Sequence, residues 1–175
     1  WAVFFSQILP GQVFAPGAKL QDHGEVQARE GPAWDGSTLY FTGRNRISQR
    51  DSSGKVSAFR EPSGGANGIV FDREGRMLVC EAGNRRVTRT EKNGSLTVLA
   101  DSYGGHKFNS PNDLTIDSRG RIYFSDPRYG PRDTMEMKDA QGRLVEGVYR
   151  IDGPGKVTRI LTHEVDRPNG LWVSG

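Results

Sequence analysis

The sequence predicts an all-β fold of short strands joined by tight turns, and three observations carry that prediction. Of 175 residues, 23 are Gly and 9 are Pro, so nearly one position in five punctuates the backbone. Apolar residues make up only 34%, a balance that argues against a helical bundle or coiled coil. The third observation is an internal repeat, which changes the meaning of every residue inside it.

Four segments align: EGPAWD at 30–35, NGIVFD at 67–72, NDLTID at 112–117 and NGLWVS at 169–174. Each opens on a side chain bearing oxygen, continues with Gly or Asp and an apolar-x-apolar alternation, and ends polar. A turn follows the first three (Asp35-Gly36, Glu74-Gly75, Arg119-Gly120), then a second strand-like run: Leu39, Tyr40 and Phe41; Met77, Leu78 and Val79; Ile122, Tyr123 and Phe124. Runs of period two separated by a glycine turn are the hairpin signal. A third run spans 45–50 and 84–89 in the first two units, and a fourth spans 55–59 and 95–99. In the third unit the matching pieces, Val148, Tyr149 and Arg150 and then 156–161, are displaced by an insertion at 127–147. The insertion is charged and punctuated by Gly and Pro, and it reads as a loop with one helical turn around 135–138.

The unit starts lie 37, 45 and 57 residues apart. That spacing brackets the blade of a β-propeller built from four-stranded antiparallel sheets, about three and a half of which are present. Blade units are placed at 30–61, 67–100, 112–161 and from 169 onward. Residues 24–175 form the partial propeller domain and 1–23 a lead-in. Within the lead-in, residues 1–15 read as the remnant of a secretory signal with Val13 and Ala15 at the small positions, which predicts a secreted or periplasmic protein, with a cytoplasmic one as the alternative. Trp1 in place of an initiator Met, and an end at Gly175 within a strand pattern, mark the chain as the incomplete N-terminal portion of something longer.

Composition excludes several partners. No apolar run is long enough for a membrane-spanning helix. The net charge of +3 arises from 24 basic and 21 acidic residues spread along the chain, without the basic block that marks a nucleic-acid groove. Cys80 alone excludes an internal disulfide and a cysteine-based metal cage, and it reads as a small packed hydrophobe. His23, His106 and His163 fall in loops and read as surface residues, with His106 and Asn109 as weaker candidates for a pocket wall. Trp34 and Trp172 share a register and read as packing between blades. The arginines at 44, 46, 85 and 86 read as solvated charge on outer strands. Oligomeric state is not legible.

In a propeller the innermost strands run along the central axis, so residues opening them ring one mouth of the channel. Glu30, Asn67, Asn112 and Asn169 hold that position. The second strand of each hairpin returns to the same face, which adds Glu81 and Asp126, with Gly43 at the equivalent place in the first unit. One carboxylate with several amide carbonyls and no Cys or His is a hard donor set that suits Ca2+, with Mg2+, Mn2+ or Zn2+ as alternatives. Two competing readings stand beside this one. Asn-Gly is an ordinary turn dipeptide whose side chain often bonds its own backbone, and Glu81 and Asp126 can equally bond loop amides or neighbouring arginines.

EGPAW at 30–34, SPND at 110–113 with the following LTIDSRGRIYFSDPRYG, and PNGL at 168–171 resemble the gluconolactonase group that includes senescence marker protein (regucalcin). The resemblance runs from about residue 24 to the end. It implies a six-bladed propeller in the complete protein, with one divalent ion on the axis, and a metal-dependent lactone hydrolase acting on a small-molecule sugar lactone such as gluconolactone. Carried onto this sequence, Glu30, Asn112 and Asn169 match metal ligands, with Asn112 also matching a substrate contact. The catalytic Asp of the family is expected beyond Gly175. Gly43 and Ser110 depart from the pattern, where some relatives carry an acidic residue and an Arg that grips an acidic sugar. Asn67 is then a substrate contact, with Glu81 and Asp126 beside it. The alternatives are a non-catalytic binding scaffold and a metal-dependent hydrolase of another ester, such as a phosphotriester. Residues 1–175 expressed alone are expected to be inactive and prone to aggregate through an open sheet edge.

Overall fold

The computed structural model describes residues 16–19, 22 and 24–173. The candidate signal remnant, His23 and the final two residues of the fourth unit lie outside the described residues.

Each of the first three sequence units folds as one antiparallel sheet with its strands in chain order. The first blade comprises β1 (Glu30–Trp34), β2 (Leu39–Gly43), β3 (Arg46–Arg50) and β4 (Val56–Arg60); the second comprises β5 (Ala66–Phe71), β6 (Met77–Glu81), β7 (Arg86–Thr90) and β8 (Leu96–Ala100). A short hairpin, β9 (Ser102–Tyr103) and β10 (His106–Lys107), precedes the third blade. That blade contains β11 (Leu114–Ile116), β12 (Ile122–Asp126), β13 (Gly147–Gly153) and β14 (Lys156–Leu161). The fold is therefore all-β, a run of propeller blades, and no α-helix occurs among the described residues.

The Asp closing each of the first three aligned segments has a defined job. Oδ1 of Asp35, Asp72 and Asp117 accepts the backbone N–H two residues on, from Ser37 (2.8 Å), Glu74 (3.0 Å) and Arg119 (2.9 Å). This is the Asx turn, a side-chain bond that pre-forms the hairpin between the first and second strands. At the other end of the inner strands the ladder is interrupted. Pairing skips between Glu30 and Ala33 in β1 and between Ala66 and Ile69 in β5, so both leading segments carry bulges that the period-two pattern did not reveal.

Two apolar clusters lie between neighbouring blades. Ile47, Ala66, Ile69, Met77 and Val79 join the first to the second. Leu78, Cys80, Val87, Leu99, Phe108, Phe124 and Tyr149 belong to the cluster joining the second to the third. Phe108 meets Phe124 edge-on at 4.9 Å and Tyr149 at 5.2 Å, geometry worth about 0.5–1.5 kcal/mol per pair beyond burial. Cys80 packs there as expected, and burial pushes its thiol well up.

Four expectations need correction. The insertion forms no helical turn at 135–138. Lys138 instead bridges Leu144, the Val145 amide donates to the Met137 carbonyl, and Met135, Met137 and Val145 are buried. The alternation Met135-Glu136-Met137-Lys138 has the period of a strand, which accounts for the difference. The fourth unit shows no strand through 173; its residues 169–171 are tied to the third blade. Trp34 and Trp172 are 59% and 83% exposed and join neither cluster. Arg85 and Arg86 are not solvated charge. Arg85, at φ 57°, bonds the Phe108 and Lys107 carbonyls and pairs with Glu136 at 2.8 Å, while Arg86 pairs with Glu81 at 2.7 Å.

Candidate active site

Glu30, Asn67, Asn112 and Asn169, the leading residues of all four units, line one cleft of about 360 Å³ together with Gly31, Pro32, Ile69, Asp113 and Gly170. Backbone contacts between adjacent blades bring them there. Gly31 sits at φ 55°, and a Cβ on it would lie 2.1 Å from the Asn67 carbonyl oxygen. A Cβ on Gly68 would meet the Asn112 carbonyl at 2.8 Å and Asp113 Oδ1 at 2.7 Å. Only glycine admits so close an approach, which is why Gly31 and Gly68 follow the leading Glu30 and Asn67.

The main-chain carbonyl of each leading Asn accepts a bond from the preceding blade. Thr42 Oγ1 donates to Asn67 (3.1 Å), the Gly68 amide to Asn112 (2.7 Å) and Ser125 Oγ to Asn169 (2.7 Å). The Asn112 amide in turn donates to the Ser125 carbonyl at 2.9 Å, and the Leu171 amide donates to Asp113 Oδ2 at 3.1 Å. Each leading Asn is thus anchored by its main-chain carbonyl, independently of its side chain.

Asn112 is the most informative of the set. It is only 6% exposed, yet its Oδ1 has no hydrogen-bond partner. A buried acceptor left unmade costs about 1–3 kcal/mol and marks a place where a ligand is expected to complete it. Asn169 donates its Nδ2 to the Tyr129 hydroxyl at 3.1 Å, and Glu30 is an exposed carboxylate. An orphaned amide oxygen beside a carboxylate and further amides fits a hard divalent cation held by oxygen. Among the described residues no cluster of three or more His, Cys, Asp or Glu competes for that role.

The two carboxylates at the second-strand ends do not line the cleft. Glu81 pairs across the sheet with Ala66, one residue before Asn67, but it is 1% exposed and fully engaged. Its Oε1 accepts Thr88 Oγ1 (2.8 Å) and faces Arg60 (3.1 Å); its Oε2 accepts Asn84 Nδ2 and Arg86 Nε, both at 2.7 Å. Asp126 is buried and accepts the Asn109 and Ser110 amides at 2.8 Å each, which fixes the loop leading to Asn112. Burial pushes the Asp126 carboxyl up to about 7 against the pull of those amides and of Arg85. Asn109 is buried, donating to the Asp126 and Val145 carbonyls, and His106 lies exposed on β10, so neither joins the cleft wall.

The SMP-30/gluconolactonase/LRE-like family model matches residues 28–175. The chain belongs to that family. Gluconolactonase of Zymomonas mobilis is 30% identical over 168 residues, covering 86% of this chain and 47% of its own. The solved gluconolactonase XC5397 of Xanthomonas campestris superposes with a TM-score of 0.69 at 32% identity over 82% of this chain and 50% of that one. A second solved gluconolactonase-family structure gives 0.75 at 30% identity over 90% of this chain and 56% of that one. The chain spans about half the length of the curated relatives it matches.

Sequence reasoning missed one residue of the cleft wall, Asp113, and one that bonds a cleft residue from outside it, Tyr129. Asp113 stands where the other three units carry Gly, and that substitution was the available signal. Tyr129 lies in the SDPRYG stretch but outside the repeat, so no register argument reached it.

Proposed function

We propose that the protein to which this chain belongs hydrolyses a lactone at the axial cleft, with Glu30, Asn112 and Asn169 holding one divalent cation, most simply Ca2+. The observation that carries the reading is the buried Asn112 Oδ1, without a partner, in a cleft shared by the leading residues of four units. Such a cation, when bound, supplies Lewis acidity toward a ring carbonyl and lowers the pKa of a nearby water.

The chain's own residues contribute placement. Glu30 brings the negative charge that favours a cation, and Asn112 and Asn169 bring neutral oxygens that leave the site's net charge low. The backbone bonds from Gly68 and Ser125 fix Asn112 and Asn169 before any ligand arrives, so little reorganisation accompanies binding. Asn67, half-buried on the cleft wall, offers an amide that can donate to or accept from a sugar hydroxyl. Glu81 and Asp126 act in the scaffold and are not assigned to substrate.

The test is turnover by the intact protein on sugar lactones, aliphatic lactones and a phosphotriester, with and without chelator. Chelator-sensitive opening of a sugar lactone, lost in Glu30→Gln, is the expected result. Unchanged lactone hydrolysis by Glu30→Gln contradicts the assignment.

A further inference from the structure

The two outer atoms of a carboxamide differ in what they offer: the oxygen accepts, the nitrogen donates. Which of them Asn169 turns toward the cleft decides whether it can hold a cation at all. Ser125 and Asp113 fix the backbone around Asn169 but leave the carboxamide free to rotate by half a turn.

Tyr129, in the loop after β12, removes that freedom. Its hydroxyl carries one hydrogen, donated to the Arg167 carbonyl at 3.2 Å. Toward Asn169, 3.1 Å away, the hydroxyl can then only accept. The atom of Asn169 facing Tyr129 must be the NH2 group, and Oδ1 is left on the opposite side. The same hydroxyl clamps Arg167 at φ 47°, a left-handed conformation that side chains rarely adopt, so donor and acceptor are held in register with Asn169.

We propose that Tyr129 is a positioning residue whose hydroxyl selects the orientation of Asn169 in which Oδ1 faces the cleft, and so sets the affinity of the site for a divalent cation. The inference rests on the reading of Asn169 as a cation ligand given above. A ring that is 55% exposed contributes little packing, so removal of the hydroxyl acts through its two hydrogen bonds, to Arg167 and to Asn169, and the Asn169→Asp background separates the two.

The experiment is calorimetric titration of the intact, metal-free protein with Ca2+, with melting of each metal-free variant as a control on folding. Tyr129→Phe is expected to weaken Ca2+ binding by about 10–100-fold, the usual effect of removing a group that orients a ligand, with metal-free melting unchanged. In an Asn169→Asp background both outer atoms are oxygens and orientation no longer matters, so adding Tyr129→Phe should cost less than about threefold. Equal losses in both backgrounds, or parental affinity in Tyr129→Phe while Asn169→Ala fails to bind, overturn the positioning role alone. Parental Ca2+ affinity in Asn169→Ala overturns the cation reading and this inference with it.

Discussion

Replacing Glu81 with Gln tests whether this carboxylate belongs to the scaffold or to the substrate site. Glu81 is buried between the first two blades and faces Arg60, which is itself largely buried and whose Nε and Nη1 have no hydrogen-bond partner. Gln keeps the shape but turns an NH2 toward two of the present donors and removes the charge opposite Arg60 and Arg86. Removing one partner of a buried ion pair costs about 3–5 kcal/mol, because the other charge stays desolvated. Against a total stability of roughly 5–15 kcal/mol, that is a large fraction. At a urea m-value of about 2 kcal/mol/M, the unfolding midpoint should fall by about 1.5–2.5 M. Below its own melting range the variant should keep parental lactone turnover. A midpoint within about 0.5 M of the parent, together with lost turnover, would refute the structural role and return Glu81 to the substrate site.

Three further outcomes follow from the same geometry. Asn112→Ala should abolish stabilisation by Ca2+, about 2.7 kcal/mol for the parent at a hundredfold excess over Kd, while metal-free stability holds or rises, because an unpaired buried oxygen is removed; thermal melting with and without Ca2+ checks both. Gly68→Ala should cost about 1–3 kcal/mol in urea unfolding and also weaken Ca2+ binding, since the new methyl would push on the Asn112 carbonyl and Asp113; unchanged affinity would show that the inter-blade contact does not position Asn112. Asp126 has a folded pKa raised from 3.8 to about 7, so the fold retains a proton that the unfolded chain releases. Its contribution is therefore fully favourable below about pH 4 and is lost as pH rises to about 7, on the order of 4 kcal/mol in total. Stability measured from pH 4 to 8 should fall less steeply in Asp126→Asn than in the parent, and identical slopes would contradict the assignment.

The hairpins were legible because each is written in a short stretch: alternating apolar residues, a closing Asp and a glycine turn. The common address of Glu30, Asn67, Asn112 and Asn169 followed from the repeat, since equivalent positions in equivalent blades meet at one axis. What escaped depends on partners distant in sequence. Antiparallel pairing correctly returns Glu81 to the level of Ala66, but the distance of β6 from the axis, and the presence of Arg60 and Arg86 beside it, decide what it bonds. The bulges after Glu30 and Ala66 arise from the close passage of neighbouring backbones, which leaves only a glycine as its trace. Arg85 looked like outer-strand charge because its acceptors, the Phe108 and Lys107 carbonyls, lie more than twenty residues away. Tyr129 belongs to an insertion with no counterpart in the other units, so only the folded chain connects it with Asn169.

Long-wavelength anomalous diffraction from crystals of the intact protein grown with calcium tests the central claim most directly. One strong peak is expected in the cleft, bounded by the side-chain oxygens of Glu30, Asn112 and Asn169. A peak elsewhere with that cleft empty, or oxygens of those three residues turned away from a common point, would contradict it.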